Sequence, residues 1–249
     1  MTIRYCWARV AAVLSLTALS AGCVNVAPGT ATPVENRPAG GIEQILPTTE
    51  EVAAGVGAEL ETNGPPAVGG IDKLDSGLRD NKDAAPIECL GAVEPRERVV
   101  YEHAAVRAAA IQGYWNHQRG QGGVLAVRAA AIELPSATAA RALFDEFVLQ
   151  WKRCSGHTVT ITKEDRIHVM WYVKVGEVAA PDPLLTTTNN WWDDRPDKGF
   201  PAGRALGIAS DVIVDVDVDM DRDHGPPSPV GNRATDIADV MLRKVTRTS

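Results

Sequence analysis

Hydrophobic and polar residues alternate most regularly in Asp211–Met220, near the end of the chain. One face of an extended strand here carries Val212, Val214, Val216, Val218 and Met220, and the other carries Asp215, Asp217 and Asp219. A period of two predicts a half-buried antiparallel strand with a solvated acidic face. The like charges of that face would also discourage edge-to-edge pairing.

Three other segments have a helical pattern. Thr48 followed by Glu51 makes a capping box, which predicts a short helix ending near Leu60. Ser136 is placed as the N-cap of a longer helix, and the segment Ala234–Val245 is predicted to be helical as well. The two longer helices each gather one set of residues on a single side: Ala140, Leu143, Phe144, Phe147, Val148 and Trp151 in the first, and Ile237, Val240, Met241, Lys244 and Val245 in the second.

Shorter apolar runs predict the remaining strands, at Ala104–Ile111, Val124–Leu134, His157–Lys163, Arg166–Val175 and Leu184–Asn190. The first two share the hexapeptide VRAAAI and could pair as a hairpin, although its alanines leave a helix open for 104–112. A helical turn is expected from Pro95 to near His103, and residues 62–86 are expected to form an irregular connection. Together these elements predict an α+β fold, a mostly antiparallel sheet with helices packed on one side.

Composition and charge narrow the class of protein. The chain has 249 residues, of which 45% are hydrophobic and 23% charged, which is ordinary for a globular domain. Lys and Arg number 25 against 32 Asp and Glu, for a net charge of -7. A protein that binds the nucleic-acid backbone needs a basic face, so nucleic acid is not an expected partner.

Residues 1–22 are predicted to be a signal peptide. Arg4 and Arg9 precede an apolar run, Val10–Leu19, that is too short to span a bilayer. The run ends in Leu19-Ser20-Ala21-Gly22-Cys23, which resembles the bacterial lipobox. That resemblance implies that Cys23 becomes the first mature residue and carries a diacylglyceryl thioether and a further acyl chain. The alternative is a plain signal peptide with an incidental Cys23.

An acylated Cys23 would attach the protein to the outer face of the cell membrane, because acyl chains hold a protein at a bilayer without a spanning helix. Residues 23–40 are rich in Pro, Gly, Thr and Ala, and we expect them to be a flexible tether. The single folded domain is then expected at residues 41–249.

Export also bears on the remaining cysteines. Cys6 lies in the signal peptide and Cys23 is the lipid attachment site, so Cys89 and Cys154 are left. Two thiols in an oxidising compartment are expected to form a disulfide. A redox or zinc site fits less well, because the chain has no C-x-x-C and zinc needs further ligands at suitable spacing.

The order of these features resembles the extracellular sensor-domain family of the mycobacterial Ser/Thr kinase PknH. The residues that carry the resemblance are Ile45-Leu46-Pro47 with Glu51-Val52, Cys89 with Gly91, Val100-Tyr101, Pro135-Ser136-Ala137, the Ala139–Phe144 helix, Trp151-x-x-Cys154-Ser155-Gly156, Arg204-Ala205-Leu206, Val212–Val216 and Asp236-Ile237-Ala238. The resemblance covers about residues 41–249 and implies an α+β domain with a cleft, displayed outside the membrane, with no catalytic residues. The family often has a second disulfide, whereas this chain has no cysteine after Cys154.

Two groups of residues are candidates for binding chemistry. The pairs Trp171-Tyr172 and Trp191-Trp192 each place adjacent rings on opposite faces of an extended chain, so one ring of each pair could line a ligand cleft. We place the second pair in a turn-rich segment. Asp219-x-Asp221-x-Asp223 imitates the start of a calcium loop, but His224 and Val230 stand where that loop needs Gly and Glu, so we assign no metal site and keep calcium as the alternative.

Neither H-E-x-x-H nor G-x-S-x-G occurs in the sequence, so no catalytic residue and no cofactor are assigned. The sequence thus predicts a lipid-anchored envelope protein, not an enzyme, whose domain binds an unidentified small molecule, glycan or protein in a cleft. The alternatives are an envelope hydrolase assembled from distant segments and a structural lipoprotein that docks a partner.

Overall fold

The computed structural model describes residues 41–117, 123–162, 169–194, 199–220 and 230–248. Within these ranges the chain forms a ten-stranded antiparallel sheet and five α-helices. The helices are α1 (Thr49–Val56), α2 (Leu90–Val93), α3 (Arg98–Tyr101), α4 (Ala137–Cys154) and α5 (Val230–Thr248). The strands are β1 (Glu61–Thr62), β2 (Ala67–Gly69), β3 (Ala84–Ala85), β4 (Ala108–Trp115), β5 (Val124–Glu133), β6 (Thr158–Thr162), β7 (Met170–Lys174), β8 (Leu184–Asp193), β9 (Phe200–Ala209) and β10 (Val212–Met220). The predicted signal peptide, Cys23 and the predicted tether lie outside the described residues.

The strands follow the order β1-β4-β5-β10-β9-β8-β7-β6-β3, with β2 also beside β4. β4 and β5 make an antiparallel hairpin, after which α4 carries the chain to β6. From β6 to β10 each strand pairs with the next, and β10 returns to pair with β5. This return places the acidic strand β10 in the middle of the sheet, between β5 and β9.

Helices cover both faces of the sheet. On one face, which we call the α5 face, α1 and α5 bury Val52, Ile237 and Met241 against the valines of β10. On the other, which we call the disulfide face, helices α2, α3 and α4 bury Leu90, Tyr101, Phe144 and Trp151. The α+β class and the antiparallel sheet are confirmed, but the expectation of helices on one side only is wrong. The reason is that the disulfide face of the central strands is also buried.

The acidic face of β10 shows most clearly that the disulfide face of the sheet is buried. Asp215 is 1% exposed and Asp217 is 0% exposed, so the predicted solvated face is wrong for these two residues. Arginine side chains from the neighbouring strands pair with them, as described below. Strict alternation therefore marks a strand that is apolar on one side and ion-paired on the other, because a buried carboxylate is tolerated when it is paired.

The two predicted helix N-caps, Thr48 and Ser136, are confirmed, whereas α5 begins at Val230, before the predicted Ala234. The Thr48 hydroxyl accepts a hydrogen bond from the backbone of Glu51 at 3.2 Å, and the Glu51 carboxylate accepts one from the backbone of Thr48 at 2.7 Å. The helix ends at Val56, before the predicted Leu60, because Gly57 adopts a left-handed conformation with φ of 70°. The Ser136 hydroxyl likewise accepts a hydrogen bond from the backbone of Ala139, and α4 begins at the next residue, Ala137.

The predicted strand ranges agree with the structure for some strands and not for others. β5, β6 and β8 lie close to their predicted ranges. β4 begins at Ala108, later than predicted, and pairs with β5 in the expected hairpin. The helical alternative for 104–112 is therefore wrong. β7 begins at Met170, and residues 166–168 of its predicted range lie outside the described residues. β9 was missed because its Pro and two Gly residues do not fit a strand pattern. One of them, Gly207, lets α5 approach: a Cβ there would lie 2.9 Å from Leu242.

Candidate functional site

A cavity of about 570 Å³ opens on the disulfide face. Its size falls within the usual range for small-molecule sites. It is lined by residues from the loop before β3, the ends of α2 and α3, and the strands β5 and β6: Asp75, Ser76, Gly77, Leu78, Arg79, Asp83, Glu94, Glu97, Arg128 and Thr162. We call this cavity the cleft.

Backbone hydrogen bonds fix the loop that forms one wall of the cleft. The backbone of Asp75 donates to the carbonyl of Arg96 at 3.1 Å and accepts from the backbone of Arg98 at 2.6 Å. At the other end of the loop, the carbonyl of Asp83 accepts from the backbone of Thr162 at 2.8 Å. The loop is therefore attached both to the segment before α3 and to the sheet, and its wall is held in place without a ligand.

Side chains brace the same loop. Arg79 and Asp83 form an ion pair with a nitrogen to oxygen distance of 3.0 Å. Arg96 donates from Nε to the Asp75 carboxylate at 2.8 Å. The Glu97 carboxylate accepts a longer hydrogen bond, 3.4 Å, from the backbone of Leu78. The carboxylates of the cleft thus serve in part to position the backbone around it.

Arg128 connects the cleft to the interior of the sheet. Its Nη1 donates to Glu94 at 2.6 Å, and its Nε and Nη2 donate to Asp217 at 3.1 and 2.6 Å. Its Nη2 also lies 3.4 Å from a carboxylate oxygen of Asp219. Because the side chain is only 14% exposed, these charge-assisted hydrogen bonds act in a poorly solvated environment and fix the guanidinium firmly.

Asp217 of this network has a raised pKa. Burial raises its pKa to about 8; Arg128 opposes the shift, and the charge of Asp219 adds to it. The network therefore contains a carboxyl group whose pKa is raised by burial, directly behind a residue that lines the cleft.

A second buried ion pair lies next to the first. Arg204 of β9 donates from Nη1 to Asp215 at 2.5 Å and from Nη2 to the carbonyl of Gly91 at 2.8 Å. The hydroxyl of Tyr101 donates to the other oxygen of Asp215 at 2.8 Å. Arg204 also lies over the ring of Trp151, 5.2 Å from its centroid. The pair thereby joins α2, α3 and α4 to the middle of the sheet.

These contacts explain the W-x-x-C-S-G signature. Trp151 packs under Arg204, and Cys154 forms the predicted disulfide with Cys89, which is confirmed with an S–S distance of 2.03 Å. Ser155 donates to the carbonyl of Gly176 at 2.9 Å, and Gly156 has a φ of 80° that favours glycine. The signature therefore attaches the end of α4 to the start of α2 and to the segment just after β7.

The four aromatic candidates divide between the faces of the sheet. Trp171 and Trp191 meet edge to face with centroids 6.2 Å apart on the disulfide face. Tyr172 and Trp192 stack across β7 and β8, 5.7 Å apart, on the opposite face. Trp191 and Trp192 lie in β8, so their assignment to a turn-rich segment is wrong. The rings do not converge on one surface, and the cleft is lined by other side chains.

Sequence reasoning missed the residues that build the cleft. The signal was present in Arg128 and Arg204, single arginines inside otherwise small or apolar strand segments (VLAVRAAAI and AGRALGIA). A charged residue in a buried strand requires a partner of opposite charge, and the aspartates of β10 were the available ones. What the sequence lacked was the pairing of β10 with both β5 and β9.

Neither a membrane-spanning helix nor a metal-binding cluster is found among the residues that the structure describes. In the described part of the chain, no helix combines the length and apolarity that a membrane span requires. Across the same residues, no three His, Cys, Asp or Glu side chains are grouped in a way that could hold a metal ion. Asp221, Asp223 and His224 of the calcium alternative lie outside the described residues.

Comparison with known proteins gives consistent results. Residues 37–244 match the PknH-like extracellular domain family. The serine/threonine-protein kinase PknH of Mycobacterium tuberculosis is 26% identical over 211 residues, which cover 83% of this chain and 29% of the kinase. PknH of Mycobacterium bovis is 25% identical over 211 residues, with 83% of this chain and 31% of the kinase covered. The chain therefore spans less than a third of the length of these relatives.

A solved structure has the same fold. The crystal structure of the extracellular domain of PknH from Mycobacterium tuberculosis matches with a TM-score of 0.69. The match covers 85% of this chain and 97% of the other, with 23% sequence identity. The α+β architecture described above is thus the architecture of that extracellular domain.

Proposed function

Because the chain belongs to the family of PknH-like extracellular domains, we propose that it is a sensor-like, non-catalytic domain that binds a ligand in its cleft. The proposal places it at the outer face of the cell membrane, attached through acyl chains on Cys23. The observation that carries the proposal is the cleft itself: about 570 Å³, with walls held by hydrogen bonds that need no ligand. A preformed site binds with less loss of conformational entropy.

The buried ion network supports a sensor role. Arg128 lines the cleft, and through Asp217 it contacts the central strand β10. The adjacent pair of Arg204 and Asp215 then reaches α2 and α3 through Gly91 and Tyr101. A ligand that touched Arg128 would therefore act on groups that connect the sheet to the helices of the disulfide face.

The structure bears on two alternative functions, an envelope hydrolase and a lipoprotein that docks a partner. A hydrolase needs carboxylates or a nucleophile free for chemistry, whereas an oxygen of Glu94 is held by Arg128 at 2.6 Å and an oxygen of Glu97 by the Leu78 backbone at 3.4 Å. A docking lipoprotein needs an exposed apolar patch. In the described ranges, the exposed large apolar side chains are Val68, Leu125 and Leu149, on three different elements. Both observations favour ligand binding in the cleft.

Blocking the cleft tests the proposal. Gly77 lines it, has no positive φ, and has open space where a Cβ would stand, so Gly77→Trp should fill the cleft without disturbing its walls. Full-length protein in detergent is incubated with a small-molecule extract of the native cell envelope and examined by native mass spectrometry. We expect a bound component with the wild type and none with Gly77→Trp.

The matched control is Leu149→Trp, which adds a tryptophan to an exposed position on α4. It should bind as the wild type does. Equal binding by Gly77→Trp, or no binding by the wild type, would contradict a ligand site in the cleft. Conversion of the bound component into a product would favour the hydrolase instead.

A further inference from the structure

We infer that residues 35–40, which we call the arm, dock in a groove on the α5 face and that an ion pair between Arg37 and Glu43 holds them there. The arm directly precedes the part of the chain that the structure describes. This docking is independent of any ligand in the cleft, because it concerns a different surface and its occupant is a segment of the same chain.

The groove has a volume of about 400 Å³ and lies where the described chain begins. Glu43 and Gln44 line it, two and three residues after Gly41. Its other walls come from the start of α1, the loop between β1 and β2, strand β4 and helix α5, and they include Pro47, Pro65, Pro66, Tyr114 and Lys244. A chain that arrives at Gly41 therefore passes beside this groove.

Hydrogen bonds hold the floor of the groove. The Tyr114 hydroxyl donates to the carbonyl of Pro47, and Nζ of Lys244 donates to the carbonyl of Leu46 at 2.8 Å. Lys244 also forms an ion pair with Glu51, with a nitrogen to oxygen distance of 2.5 Å. The cation that lines the groove thus already has a carboxylate partner, and the surface is in place before anything docks on it.

Glu43 has an unsatisfied carboxylate oxygen in this groove. Its Oε2 is shielded from solvent, and none of the described residues donates a hydrogen bond to it. A shielded acceptor without a donor costs free energy, and the cost is larger for a charged group than for a neutral one. A cationic donor from outside the described residues would remove this cost.

Arg37 is suited to be that donor. It is the only Lys or Arg between Cys23 and Gly41, and it precedes Glu43 by six residues. Six residues span at most about 20 Å, so the two side chains stay near each other and little chain entropy is lost when they meet. A guanidinium and a carboxylate form strong charge-assisted hydrogen bonds, which supplies the charge complementarity of the docking.

Two further observations favour the arm as the occupant. The match to the PknH-like extracellular domain family begins at residue 37, so the domain of that family extends upstream of Gly41. Pro38 fixes its own φ and biases Arg37, the residue before it, toward an extended backbone. A segment that is already restricted loses less conformational entropy when it docks.

The docked arm determines how the domain is attached to the membrane. Leu46 and Tyr114 of the groove belong to the core of the α5 face, whereas the cleft opens on the disulfide face. Docking shortens the free part of the predicted tether from residues 23–40 to residues 23–34, which span at most about 40 Å instead of about 60 Å. The tether then leaves the domain on the side of the sheet that faces away from the cleft.

Backbone ¹⁵N relaxation of the full-length protein in detergent micelles tests the docking. In the wild type we expect order parameters of about 0.8 for the amides of the arm and below about 0.6 for residues 27–32. Arg37→Gln and Glu43→Gln should each lower the values of the arm below about 0.6. The matched control is Glu59→Gln, which removes an exposed carboxylate after α1 and should leave the arm as ordered as in the wild type.

Two results would overturn the inference. One is a wild-type arm as mobile as residues 27–32, which would leave the groove to another occupant. The other is an arm that stays ordered in both variants, because the docking would then not depend on the ion pair. If Glu43→Gln fails to fold, Arg37→Gln carries the test, since it changes the arm itself and should release it in the same way.

A double-mutant cycle in urea gives a second readout. The urea midpoint should fall by similar amounts in Arg37→Gln and Glu43→Gln, and the double variant should be no less stable than either, because each single change already breaks the pair. The losses of Arg37→Gln and Glu59→Gln should instead add. Losses that add for Arg37→Gln and Glu43→Gln would also contradict the ion pair.

Discussion

The guanidinium of Arg204 and the carboxylate of Asp215 lie 2.5 Å apart, and their side chains are 0% and 2% exposed. The two residues stand on the neighbouring strands β9 and β10, and Tyr101 donates to the same carboxylate. Two opposite charges without contact to water depend on each other, because either one alone would be an unpaired charge in the interior. This pair holds three helices to the sheet beside the cleft.

Breaking this pair should destabilise the domain strongly. Arg204→Met leaves Asp215 without its ion pair, and we expect the free energy of unfolding to fall by about 3–5 kcal/mol. Arg204→Met/Asp215→Asn removes both charges and should recover part of that loss. Urea unfolding followed by tryptophan fluorescence measures the changes. Arg153→Met, at an exposed position of α4, serves as the control and should change stability by less than about 0.5 kcal/mol. A double variant whose loss of stability equals the sum of the losses of Arg204→Met and Asp215→Asn measured singly would contradict the coupling.

The stability of the domain should depend on pH through Asp217. Its pKa in the folded protein is about 8, well above the ordinary 3.8, because the carboxyl is buried. Between these values the folded state holds a proton that the unfolded state releases, so the contribution to stability is complete below pH 3.8 and is lost as the pH rises through 8. We therefore expect the wild type to lose stability relative to Asp217→Asn as the pH rises from about 4 to about 9.

Urea midpoints measured at each pH provide this comparison. Asp145→Asn, on the exposed face of α4, should keep the pH dependence of the wild type. A constant difference between the wild type and Asp217→Asn across the range would show that this carboxyl has an ordinary pKa.

The disulfide should contribute a large part of the stability. Cys89 and Cys154 are 65 residues apart, and closing a loop of that length is worth roughly 4 kcal/mol through the entropy of the unfolded chain. Cys89→Ala/Cys154→Ala should lower the free energy of unfolding by about 2–5 kcal/mol in urea. Reduction of the wild type should produce a similar loss. Alkylation of both cysteines in the folded protein without reductant would mean that the bond is not formed.

The location of a Cys23 variant in the cell or the medium tests the predicted lipid anchor. Cys23→Ala removes the only thiol of the lipobox-like segment, and the protein should then be found in the culture medium instead of the membrane fraction. Mass spectrometry of the wild-type N-terminal peptide should detect the acyl chains. Cys6→Ala is the matched control and should leave the protein in the membrane fraction. Retention of Cys23→Ala would contradict attachment through this residue.

The features that depend on neighbours in the chain could be predicted from the sequence. The capping box of Thr48 and Glu51, the N-cap at Ser136 and the buried face of α4 follow from spacing over three or four residues. The antiparallel strand at β10 follows from its period of two. The pairing of Cys89 with Cys154 was predicted by assigning Cys6 to a signal peptide and Cys23 to a lipid anchor, which left two thiols, and the structure contains this disulfide.

Which faces of the strands are buried depends on long-range contacts in the folded chain. Periodicity separates the two sides of a strand, but it does not say what packs on each, and the aspartates of β10 have the same pattern whether water or arginine faces them. Arg128 lies 89 residues before Asp217 in the chain, and Gly91 lies 113 residues before Arg204. The first contact forms because β10 returns between β5 and β9, and the second forms because α2 lies against β9. That return converts an acidic strand into the buried network behind the cleft.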